Sequence, residues 1–216
     1  EMLADYVCPL EQPLDSKKLM KSLIACIEKT RSEAATLNVN PMCIGISAKG
    51  FIDYRAGIIH GPDQGIKGWE NVKLAEVVTN ETGLPSYVDN DANLMAVAEY
   101  HNGAGKGYRN IVFVALRSGI GGAIIIDGKL YRGNNNAGGE IGQMSIDLFG
   151  QYSDKGIRGS LEYFASSVAL VRNYLVLCGK TSKDSGNSNS RLRAKDVFER
   201  SYKGDNNAKM AVKDNA

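Results

Sequence analysis

Asp89, Asn90, Asp91 and Asn93 crowd together where an apolar stretch ending at Val88 gives way to a helical-looking one, Ala92 to His101. Asp and Asn cap helix starts by accepting hydrogen bonds from otherwise unpaired backbone N–H groups, stabilising by about 1 kcal/mol each. Capping explains one or two of the four and leaves the others a second task. Calcium is not that task. A calcium loop starting at Asp89 needs glycine sixth and glutamate twelfth, where this chain has Leu94 and Tyr100. A carboxylate at a strand end, beside an amide, suits a different chemistry: it can hydrogen-bond a ligand hydroxyl and accept its proton as a general base. The C-terminal edge of the sheet is also where open α/β folds bind ligands.

Glycine supplies a second group of candidates. The chain has 24 glycines in 216 residues, against an average usage of about 7%, and they cluster between Gly103 and Gly159. Within that stretch, Asn110 to Leu116 reads as a strand and runs into Arg117-Ser118-Gly119-Ile120-Gly121-Gly122, followed by the apolar Ala123 to Ile126. A dinucleotide site needs a helix after its glycines, and here a strand follows. The Gly-Lys-Ser/Thr ending of a P-loop is also missing. Two readings stay open for this strand–turn–strand unit: a hairpin tip that embraces phosphate through backbone N–H groups, and a glycine-rich hairpin without a ligand.

These candidates must be positioned by regular elements. Met2 to Val7 reads as a short strand. Asp15 and Ser16 read as caps for a helix whose apolar residues Leu19, Met20, Leu23, Ile24 and Ile27 keep helical spacing. Met42 to Ser47 reads as a buried strand, and a loop-rich segment with Gly57, Pro62, Gly65 and Gly68 follows. A helix is predicted from Val72 to Glu81, a strand over 86–88 and a helix after Asp91. Strand and helix alternate, which implies crossover connections and a parallel or mixed sheet. Asp127-Gly128 between β-rich flanks signals a hairpin. One helix is predicted from Leu161 to Cys178, a polar loop over 181–190, and further helices over 194–201 and 208–212. Trp69, alone in its loop, reads as a packing anchor.

Composition sets outer limits. Twenty-six basic against 24 acidic side chains exclude a strongly basic nucleic-acid surface over the whole chain, and no apolar run nears the roughly 20 residues of a membrane helix. Glu1 and Asp5 occupy positions where a secretory leader would be basic, then apolar, so a cytoplasmic location is expected. Cys8, Cys26, Cys43 and Cys178 lie far apart in mostly apolar segments and read as reduced, small core residues.

Three ordered segments resemble the ROK family (repressor, open reading frame, kinase): IGISAKGFID at 44–53, VDNDANLMAVAEY at 88–100, and SGIGGAIIIDGKLYRG with AGGEIGQMSID across 118–147. The resemblance implies an α/β, actin-like (ribonuclease H-like) two-lobe sugar-kinase fold, with residues 1–101 in one lobe and 102–216 in the other. By that resemblance both lobes are incomplete: the first strands, with an Asp-x-Gly-x-Thr phosphate loop, would precede Glu1, and the C-terminal strand and helix would follow Ala216. Asp63-Gln64-Gly65 is the nearest match to the phosphate loop and lacks its threonine. The family pattern makes Gly50, Asn90, Asp91, Glu140, Gln143 and Glu162 sugar contacts. In a kinase member, Asp91 would be the catalytic base, and Ser118, Gly119, Gly121 and Gly122 would lie near nucleotide phosphates.

The departures from the pattern matter as much. Gly-Glu-Ile-Gly-His reads Gly139-Glu140-Ile141-Gly142-Gln143 here, and the zinc loop C-x-C-G-x-x-G-C has Ser153, Lys155 and Ser160 in place of its cysteines. Without thiolate or imidazole the donor set for zinc is missing, so no metal is expected. The family's Gly-Thr-Gly turn becomes Arg117-Ser118-Gly119. The resemblance therefore favours the sugar-binding effector domain of a transcriptional regulator over an ATP-dependent sugar kinase; ATP and magnesium are expected only in the kinase case. A small-molecule sugar is the expected partner, with DNA contacted through a module outside this chain, no membrane, and a homodimer at full length.

Overall fold

In a computed structural model describing residues 2, 4–8, 14–61, 66–153, 155–181 and 192–215, the chain divides into two units. Glu1–Met95 and Gly133–Ala137 form the first, and Ala96–Arg132 and Gly138–Ala216 the second. Asp63-Gln64-Gly65 and the polar run 182–190 lie outside the described residues.

In the first unit, helix α1 (Ser16–Thr36) starts at Asp15, whose carboxylate accepts from the Lys17 N–H at 2.9 Å. Replacing that cap, Asp15→Ala, is expected to lower stability by about 1 kcal/mol, read as a shifted urea midpoint at unchanged slope. The stripe Leu19, Met20, Leu23, Ile24 and Ile27 packs on a core of Ile46, Ile52, Ile59, Trp69, Leu74, Val78 and Val88. Trp69 is thus a packing anchor. Strand β1 (Ile44–Ala48) pairs in parallel with β4 (Ser86–Asn90), and helix α2 (Leu74–Thr82) precedes β4 in the chain. The register sets Ser47 opposite Asp89 and Ala48 opposite Asn90, which brings the end of β1 beside the start of helix α3 (Asp91–Asn102). Between them the segment read as loop holds a hairpin, β2 (Phe51–Asp53) with β3 (Ile58–His60). Its turn is closed by Asp53, whose carboxylate accepts from the N–H groups of Arg55 and Ala56. The described residues among 2–7 form no strand.

The second unit is built on an antiparallel meander of β5 (Ile111–Leu116), β6 (Ile120–Ile126) and β7 (Lys129–Tyr131). Asp127 (φ 51°) and Gly128 (φ 77°) make the two-residue turn between β6 and β7 with both residues left-handed, as a type I′ hairpin requires. The helix predicted from 161 to 178 is two helices, α4 (Leu161–Ala165) and α5 (Ser167–Leu177). Extended Ser166 separates them and caps the second, accepting from the Ala169 N–H. Helices α6 (Ala194–Tyr202) and α7 (Asn206–Asn215) complete a core with Leu170, Tyr174, Val197, Ala208 and Ala211. The cysteines are not core residues: Cys43 is exposed, and Cys8, Cys26 and Cys178 are half-buried. No described helix is long and apolar enough to cross a membrane.

Candidate functional site

Parallel pairing of β1 with β4 determines what the polar run at 89–93 does. Asn90 uses both ends of its amide: the oxygen accepts from the N–H groups of Ala92 (2.8 Å) and Asn93 (3.2 Å), and the nitrogen donates to the Gly50 carbonyl at 3.1 Å. It therefore caps α3 and ties the segment after β1 to it. Asp89 accepts from the Asn93 side chain at 3.2 Å, and Asn93 is buried. Asp89, Asn90 and Asn93 thus each have a local structural task, so the surplus polarity seen in the sequence narrows to Asp91. Its carboxylate is half-buried in the first turn of α3 and accepts from the Ala92 N–H at 3.0 Å. Gly50 has φ 112°, a conformation that glycine adopts without strain.

In the second unit the centre is Glu162, on α4. One carboxylate oxygen accepts from the Ile120 N–H at 2.8 Å, and the other faces Lys155 Nζ at 3.1 Å and Gln143 Nε2 at 3.3 Å. Burial pushes the carboxyl up, but the Ile120 N–H, the Lys155 ammonium and the Gln143 amide together outweigh it and hold Glu162 below the ordinary glutamate value. Glu162 is thus a fixed, ionised acceptor. Gly119 makes the approach possible, because a Cβ there would collide with the Glu162 carboxylate. Gly122 lies equally close to the segment before the 3-10 turn Ile141–Gln143, where a Cβ would meet the Gly139 carbonyl oxygen at 2.5 Å. Gly121 sits within β6 opposite Ala115. Glu140 is half-buried and leads into the 3-10 turn, its carbonyl accepting from the Gln143 N–H at 3.0 Å.

The structure thus brings Gly50, Asn90 and Asp91 together in the first unit, and Gln143, Glu162 and Gly119 together in the second, with Glu140 and Gly122 on the segments that flank them. Ser118 lies in the tight β5–β6 turn, where the Arg117 N–H donates to the Gly119 carbonyl at 2.9 Å. Sequence reasoning missed Lys155. It registered there only as a lost thiolate, and its partner lies across a loop where no helical or strand spacing relates the two.

The positions that would hold zinc carry groups already in use. Ser160 is fully buried and caps α4 through the Tyr163 N–H, while Ser153 Oγ accepts from the Ile157 N–H at 3.2 Å. Lys155 brings a cation against Glu162. Two occupied hydroxyls, an ammonium and an amide do not fit zinc.

The parallel strand pair with its polar helix start and the glycine-backed β-meander belong to the actin-like sugar-kinase fold that this chain shares with solved ROK structures. The match to the ROK family covers residues 11–216, and the chain belongs to that family. The glucokinase of Streptomyces coelicolor is 37% identical over 141 residues, 65% of this chain and 44% of that protein. The xylose repressor of Caldicellulosiruptor bescii is 34% identical over 158 residues, 73% of this chain and 39% of that protein. Among solved structures, a ROK family glucokinase from Streptomyces griseus in complex with glucose and AMPPNP superposes with a TM-score of 0.74 at 27% identity, covering 94% of this chain and 65% of that one. The chain spans less than half the length of these two curated relatives.

Proposed function

We propose that this chain is the sugar-binding part of a ROK-type transcriptional regulator that senses a hexose, an N-acetylhexosamine or a pentose. Gly50, Asn90, Asp91, Glu140, Gln143 and Glu162 are its sugar contacts. Each carboxylate that accepts from a sugar hydroxyl contributes a charge-assisted hydrogen bond of about 1.5–3 kcal/mol. A sugar bound tenfold tighter by one of two conformations biases them by about 1.4 kcal/mol, and a DNA-binding module outside these residues would read that bias. Full-length protein is expected to be a cytoplasmic homodimer.

The observation that carries the choice of regulator is the state of the β5–β6 turn. A phosphate-cradling turn offers backbone N–H groups to the ligand. Here the Ile120 N–H is given to Glu162 and the Arg117 N–H to the Gly119 carbonyl, with a bulky cation at 117. One observation favours the second reading, an ATP-dependent sugar kinase: Asp91 keeps a carboxylate at the start of α3, where a general base would stand.

The two readings differ in what Asp91→Ala does to the full-length protein. In the regulator, it is expected to weaken sugar binding by about 10- to 150-fold, the equivalent of one charged hydrogen bond, and the unaltered protein transfers no phosphate. ATP consumption that depends on a hexose, and that vanishes in Asp91→Ala, would establish the kinase instead.

A further inference from the structure

Residues 150–153 and 155–160 are held together by their own backbone. The Gly159 N–H donates to the Gln151 carbonyl at 2.8 Å, the Ser153 N–H to the Ile157 carbonyl at 2.8 Å, and the Gly156 N–H to the Ser153 carbonyl at 2.9 Å. That closure holds Lys155 next to a left-handed Gly156 (φ 75°), with its ammonium 3.1 Å from Glu162 Oε1. An ion pair between two exposed, mobile side chains does little. This pair is different, because only the lysine is exposed (53%, against 22% for the glutamate) and the carboxylate is already pinned by the Ile120 N–H.

The consequence passes to Gln143. An ionised carboxylate can only accept, so the amide must turn its nitrogen to Glu162. Its carbonyl oxygen then points away, buried, with no hydrogen-bond partner among the described residues. A protonated Glu162 would be a donor as well, and the amide could reverse. The charge state of Glu162 therefore determines the hydrogen-bond pattern that both residues present. Among the groups acting on the carboxylate, Lys155 is the charged one; Ile120 and Gln143 are neutral.

We propose that Lys155 is a positioning residue, which holds the Glu162 carboxylate in its ionised form to lower pH and thereby fixes the amide of Gln143 for recognition of a ligand hydroxyl. The link to ligand recognition rests on the sugar-binding reading above. The test uses full-length protein with carboxyl-13C-labelled glutamate, followed by NMR from pH 3 to pH 8, as Lys155→Met and Lys155→Arg beside the unaltered chain. Calorimetry with D-glucose and D-xylose runs in parallel. Removing an opposite charge at this distance is expected to raise the Glu162 midpoint by about one pH unit or more in Lys155→Met, with Lys155→Arg close to the unaltered protein. With calorimetry run across the same pH range, affinity for whichever sugar binds should begin to fall at a higher pH in Lys155→Met than in the unaltered protein, by the same interval as the Glu162 midpoint, and Lys155→Arg should restore it. A lysine that only clips the loop would lower the melting temperature and leave the Glu162 titration where it was, and that result overturns the proposal. Failure of the unaltered protein to bind any sugar counts against the sugar reading alone, because the titration still judges Lys155.

Discussion

Glu162→Ala in the full-length protein is expected to reduce sugar affinity by 100-fold or more. The loss has two sources. A charged hydrogen bond to the ligand is worth about 1.5–3 kcal/mol, and removing the carboxylate also leaves the Ile120 N–H and the Gln143 amide without their acceptor. Glu162→Gln should fall between, because it keeps an acceptor for Ile120 but loses the charge that faces Lys155. Stability should follow the same group with pH. Its folded-state value lies below the ordinary one, so its contribution is complete above the ordinary glutamate value and is lost as pH falls through the depressed folded value. Urea midpoints of the unaltered protein and Glu162→Gln should therefore converge as pH falls below the ordinary glutamate value. A constant gap down to pH 3 would show that the carboxylate's charge does not contribute.

Gly159→Ala is expected to destabilise the second unit by about 2–5 kcal/mol. Gly159 has φ 63°, where an L side chain costs on the order of 1–3 kcal/mol, and its would-be Cβ runs into the carbonyl of Asp147, whose carbon is 2.7 Å away. Neither can yield easily, because the Gly159 carbonyl accepts from the N–H of Ile146 at 2.8 Å and so ties the two backbones together. The control is Gly156→Ala in the same loop. Gly156 is also left-handed (φ 75°), but nothing lies within 4 Å of a Cβ there, so only the same conformational cost, on the order of 1–3 kcal/mol, remains. A calorimetric melt should separate the pair by several degrees, at about 2–4 °C per kcal/mol for a chain of this size. Equal melting temperatures would mean that the contact with Asp147 is not rigid.

Where an element's own residues carry its signal, the sequence is enough. Asp15 with the stripe from Leu19 to Ile27 marks α1, and Asp127-Gly128 marks the β6–β7 turn, because capping and left-handed turns depend on near neighbours. The ROK family and its fold were legible from three motifs. What escaped depends on short or distant structure. Strands β2 and β3 are three residues each, too short for alternation to stand out from the glycines around them. Ser166 splits one helical stretch through its own backbone conformation, since its flanks keep helical spacing. For Gly119 and Gly122 the sequence leaves open a phosphate-cradling turn and a ligand-free hairpin, and the structure adds a reason internal to the fold, the approach of Glu162 and of the Gly139 carbonyl. Glu162 is 43 positions from Gly119 in sequence, beyond any local pattern.

The most direct test of the sugar-binding account is isothermal calorimetry of the full-length protein with D-glucose, N-acetyl-D-glucosamine and D-xylose, repeated for Asp91→Ala and Glu162→Ala. Binding of at least one sugar, weakened at least tenfold by each substitution, is the expected result. Heat-silent titrations with all three sugars, or a sugar bound equally well by both variants, would contradict it.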